Sequence, residues 1–94
     1  MRRKSRSIES IAGKFKALSH PARIKLITEL INRECCVGEI QKCLSLSQPN
    51  VSQHLKILRD AQIIIGRRDK NRICYSIKDD AIITIFKTLM GGEL

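Results

Sequence analysis

The chain has 94 residues, which gives room for one domain around one small core. Its formal charge is +9, and seven of the nine net charges fall in two short segments: Arg2, Arg3, Lys4 and Arg6 in a basic tail over residues 1–7, and Arg67, Arg68, Lys70 and Arg72 against Asp69. Charge gathered on a tail and a loop suits a polyanion, most simply nucleic acid; a membrane surface fits less well, because no basic amphipathic helix accompanies it. No apolar run approaches the ~20 residues of a membrane span, and the basic start leads into an amphipathic segment instead of a signal-peptide core. The expectation is therefore a cytoplasmic protein whose four cysteines stay reduced, without a disulfide framework. With only Phe15, Tyr75 and Phe86 as aromatics, recognition of single strands by base stacking is disfavoured.

In chain order, Ile8, Ile11, Ala12, Phe15 and Leu18 recur at helical spacing and predict a first helix over about 7–18. Ser19, His20 and Pro21 end it, and a second helix starts at Pro21 with Ser19 or His20 as cap and Ile24, Ile27, Leu30 and Ile31 as its apolar stripe. Residues 32–36 read as a polar turn. Val37, Ile40 and Leu44 mark a short third helix. After the break Leu44-Ser45-Leu46-Ser47 a fourth helix starts at Gln48, with Ser47 as N-cap and Pro49 in the first turn. Two short helices joined by such a turn have the helix-turn-helix layout.

The fourth helix carries the sharpest signal. Val51, Leu55 and Leu58 fall on one face, while Pro49, Ser52, Gln53 and Lys56 fall on the other with Asn50 at its edge. That outer face bears amides, a hydroxyl and one cation where an ordinary solvated helix would bear Glu/Lys pairs. Amides can bond adenine bidentately, hydroxyls suit several bases, and Lys suits guanine or phosphate. Ser47, Gln48, Asn50, Ser52, Gln53, His54 and Lys56 are thus the expected DNA-facing residues.

Beyond Ala61 the pattern turns extended. Ile63, Ile64 and Ile65 form one strand, residues 66–71 a charged turn, and residues 72–78 a second strand in which Ile73, Tyr75 and Ile77 alternate with Arg72, Cys74 and Ser76. The hairpin would be a basic wing, with Arg67, Arg68, Lys70 and Arg72 on the DNA backbone and Lys14 and Lys16 as further phosphate contacts. The last helix, over about 79–90 with Asp79 or Asp80 as cap, has apolar residues around more than half of its circumference. One small domain can hide only one stripe, so a second copy is expected to cover the rest, with the first helix contributing. The expected fold is mainly α with a small β-hairpin, a winged helix-turn-helix of order α-α-α-α-β-β-α over residues 8–94, acting as a homodimer.

The segments KALSHPARIKLITEL, VGEIQKCLSLSQPNVSQHLKILRDAQII and GRRDKNRICYSI, in this order and spacing, resemble the ArsR/SmtB family of dimeric winged-helix repressors over about residues 15–77. The resemblance implies a homodimer that binds an inverted repeat in a double-stranded DNA operator, blocks transcription and releases it when an effector binds. A thiol enzyme is not expected, because the sequence offers no CxxC and no nucleophile with a paired base. The competing reading is a winged helix used as a protein-interaction module, without sequence-specific DNA binding.

Many members of that family sense metals. In the arsenic- and cadmium-sensing pattern ELCVCD, Cys36 matches the first cysteine, but Gly38 stands in place of the second and Gln41 in place of a further one. The family's zinc and nickel site on the last helix needs histidines, and none follows His54, so no metal site and no resident cofactor are expected. Cys36 and Cys43, seven residues apart, would sit ~10 Å apart along a helix axis, too far to share an ion held at ~2.3 Å. Cys74 is expected in another part of the domain. Cys35 and Cys36 remain as candidates for a thiol-reactive effector: arsenite, a soft metal, or a redox or sulfur species.

Overall fold

The computed structural model describes residues 7–92, so the basic tail, apart from Ser7, lies outside the described residues. Of the five helices among the described residues, all but the fourth start where a side chain accepts from a free backbone N–H. The Ser7 hydroxyl accepts from the Ser10 N–H at 3.0 Å and opens α1 (Ile8–Leu18). His20 Nδ1 accepts from the Ala22 N–H at 3.1 Å and opens α2 (Pro21–Asn32), with Pro21 at the first turn. The Cys36 N–H donates to Glu39 Oε1 at 2.8 Å at the start of α3 (Val37–Leu44). Ser45 closes α3 in the left-handed region, at φ 55°. Then α4 (Gln48–Asp60) begins after Ser47, whose hydroxyl makes no capping bond, contrary to its expected role. The Asp79 carboxylate accepts from the Ala81 N–H at 3.0 Å and opens α5 (Asp80–Leu89).

Three strands complete the domain: β1 (Cys35–Cys36), β2 (Ile64–Asp69) and β3 (Arg72–Ile77), antiparallel in the order β1-β3-β2. This extends the expected two-stranded hairpin, because residues 35–36, read as turn, add to the free edge of β3 with Cys35 opposite Tyr75 and Cys36 opposite Cys74. The hairpin turn is also shorter than expected. Gly66, Arg67, Arg68 and Asp69 are all paired in β2, and only Lys70 and Asn71 lie between Asp69 and its partner Arg72. Gly66 belongs to the strand for a steric reason: a Cβ there would stand 2.8 Å from the Tyr75 ring.

The core lies where α2, α3 and α4 meet the sheet, with Leu26, Ile27, Ile40, Val51, Leu55, Leu58, Ile63 and Ile64 removed from solvent. Ile24, assigned to the apolar stripe of α2, is exposed, and Leu26 is buried instead. Outside the core, Ile11, Phe15 and Leu18 of α1 face Ala81, Ile82 and Ile85 of α5 across an open groove of about 740 Å³. Ile8, Phe15 and Leu89 remain 83%, 57% and 77% exposed. Among the described residues, no helix is long and apolar enough to cross a membrane.

Candidate nucleic-acid interface

The helix-turn-helix consists of α3, the turn at Ser45–Ser47 and α4. Val51, Leu55 and Leu58 anchor α4 in the core, and this fixes which side of the helix remains outside. Gln48, Asn50, Ser52, Gln53 and Lys56 are all exposed, as the helical period predicts. Among the described residues, the side chains of Gln48, Asn50, Ser52 and Gln53 take part in no hydrogen bond within the chain. Amides on a fixed helix with their donors and acceptors unspent can bond another molecule without first breaking an internal contact. Lys56 differs, since it pairs with Asp60 at 2.9 Å, the i,i+4 arrangement that the outer face was expected to lack.

His54 departs from the expected DNA-facing set. It is half-buried, and its Nδ1 accepts from Arg23 Nε at 3.2 Å, while Arg23 Nη1 donates to the Ala17 carbonyl at 3.0 Å. The His20 ring meets it edge-on, with centroids 4.7 Å apart. Burial first, then the charges of His20 and Arg23, push the His54 imidazole below its ordinary value, so the neutral ring that can accept from Arg23 is favoured. His54 thereby ties α4 to α2.

The wing cations fall into two groups. Arg67 is held by Glu34 in a two-pronged ion pair, Nε to Oε2 at 2.9 Å and Nη2 to Oε1 at 2.8 Å, and this holds the Glu34 carboxyl below the usual range. Arg72 pairs with Asp69 at 3.1 Å. Arg68 and Lys70 are exposed and have no ion-pair partner among the described residues, so they are the cations most open to phosphate. Lys14, expected on phosphate, is turned inward: its Nζ donates to the Ala61 carbonyl at 3.0 Å and pairs with Asp79 at 2.9 Å. Lys16 is exposed on α1.

The cysteines depart most from expectation. Cys36 and Cys74 form a disulfide across β1 and β3, so the chain is not free of disulfides and Cys74 is not remote from Cys36. Adjacent strand residues point to opposite faces. Cys35 therefore turns into the core, its thiol pushed up by burial, and does not share a face with Cys36. A soft ion held jointly by Cys35 and Cys36 is excluded by this alternation. Cys43 is a half-buried free thiol on α3. Sequence reasoning missed Glu34, Arg23 and Cys74 as partners because all three contacts need the tertiary register.

A family model described as bacterial regulatory protein, arsR family, matches residues 20–65. The chain is 39% identical over 84 residues to the HTH-type transcriptional regulator YgaV of Escherichia coli, covering 88% of this chain and 85% of that one. It is 35% identical over 85 residues to the biofilm growth-associated repressor of Xylella fastidiosa, covering 83% and 75%. In structure it is similar to NolR from Sinorhizobium fredii, with a TM-score of 0.83, 31% identity and all of both chains covered.

Proposed function

The chain belongs to the arsR family of bacterial regulatory proteins and is a DNA-binding transcriptional regulator, not an enzyme; from that premise we propose that it is a homodimeric repressor of a palindromic operator, working in the cytoplasm. Each α4 lies in a major groove with Gln48, Asn50, Ser52 and Gln53 at base edges and Ser47 and Lys56 beside them. Arg68 and Lys70 hold phosphates beside the half-site, and Arg67 and Arg72 reach phosphate once they leave Glu34 and Asp69. A thiol-reactive effector acting through Cys36 controls release. The observation that carries this reading is the row of exposed amides on α4 with no bond to the chain's own residues.

Titrating a bound duplex with salt separates the two kinds of contact. Arg68→Ala should lower the log–log salt slope by about 0.9 per subunit and leave sequence preference intact. Gln53→Ala should leave the slope and cost about 1 to 3 kcal/mol per half-site on the preferred duplex, relaxing choice at one base pair. Equal weakening of preferred and random duplexes by Gln53→Ala would remove α4 from the reading role.

A further inference from the structure

Two features meet at the root of the wing. Cys36 stands at the N-cap of α3, the first helix of the helix-turn-helix, and its partner Cys74 lies in β3. Directly across β3 from Cys74, on the other side, is Arg67 of β2, and Arg67 is held by Glu34, two residues before Cys36. One covalent link thus fastens the start of α3 to the wing and carries with it the carboxylate that neutralises a wing cation. Cys36 is the more open of the two residues, 9% exposed against 2% for Cys74.

We propose that Cys36 and Cys74 are a reversible dithiol–disulfide site whose closure keeps Arg67 on Glu34 and so weakens the grip of the wing on DNA. The inference rests on the functional reading above, since it names the chemistry that regulates the same interface. The co-reactant is a low-molecular-weight disulfide. The Cys36 thiolate, at a helix N-terminus where negative charge is favoured, attacks one sulfur of R–S–S–R, forming a mixed disulfide and expelling one RS⁻. The Cys74 thiolate then attacks the Cys36 sulfur and expels the second RS⁻. Two electrons pass from the cysteine pair to the small disulfide, which leaves as two thiols, and the two cysteine protons go to those thiols. Reduction by excess small thiol runs the same steps backwards. Cys35 stays outside the exchange because it faces the core with its thiol kept protonated by burial.

With the link open, β1 is held to β3 by backbone pairing over two residues, and Arg67 can leave Glu34 for phosphate. The test is the full chain, fully reduced with dithiothreitol or oxidised with glutathione disulfide, titrated against a selected duplex by fluorescence anisotropy, with the linked pair identified by peptide mapping. The reduced protein is expected to bind about fivefold tighter or better, with a steeper salt slope, and mapping is expected to find Cys36 joined to Cys74. Cys74→Ser should bind like the reduced protein in both buffers, and Cys43→Ser should keep the difference. Arg67→Gln should still form the link and lose most of the difference. Equal affinity of the two states, tighter binding by the oxidised one, or failure to form the link overturns the proposal while leaving DNA recognition standing. Absence of binding in both states overturns the functional reading, and this inference with it.

Discussion

His54 shows how one side chain divides its helix between recognition and support. It occupies α4 among residues that face outward, yet it spends its acceptor on Arg23 and holds α4 against α2. Its place on α4 put it among the DNA-facing residues because its partner Arg23 lies thirty-one residues earlier in the chain. Its depressed value carries a sign that can be measured. The unfolded chain takes up the proton first, near the ordinary histidine value of about 6.5. Stability from neutral His54 is whole above that pH, falls as pH drops from there to the lowered folded value, and is level below it. Thermal melts from about pH 7.5 to about pH 5.5 should show a declining Tm in the wild type and a shallower decline in His54→Gln. A decline unchanged by the substitution would separate the histidine from the pH response.

At the scale of elements, the helices were legible because each announces itself locally. His20 and Asp79 cap where a cap was expected, Ser7 caps the helix it was expected to begin, Pro21 and Pro49 occupy first turns, and the apolar spacing marks the inner faces. The strands were less so. Two residues, Cys35 and Cys36, have no period of their own and become a strand only because β3 offers them an edge. Gly66 reads as a turn residue in any sequence, and only the Tyr75 ring above it explains its place in β2. Lys14 was likewise assigned to phosphate from its charge, whereas the fold gives it three tasks. It accepts the role of C-terminal clamp for α4 through the Ala61 and Gln62 carbonyls at 3.0 and 3.4 Å, and it pairs with Asp79 at the start of α5. At 13% and 23% exposure this pair is mostly shielded, so its loss leaves a carboxylate without its cation. Lys14→Met should lower the urea-unfolding free energy by about 1 to 3 kcal/mol with the same helical content in the folded state. A change within a few tenths of a kcal/mol would mean that the clamp adds nothing.

The whole molecule presents two surfaces of opposite character. One bears the amides of α4 and the cations of the wing, and the other bears the apolar remainder of α1 and α5 around their open groove. A second copy seated on the apolar surface would bury Phe15 and Leu89 and fix the spacing of the two α4 helices. Phe15→Glu should therefore convert a dimer into a monomer in sedimentation velocity, since a carboxylate would have to enter an apolar interface unpaired. A wild type that sediments as a monomer would remove that arrangement.

Whether paired α4 helices read two related half-sites is decided by selecting bound duplexes from a random pool with the wild-type chain. Enrichment of an inverted repeat with half-sites about one helical turn apart, bound by two chains per duplex, is the expected outcome. Enrichment of a single unrepeated site, or of no sequence at all, would contradict it.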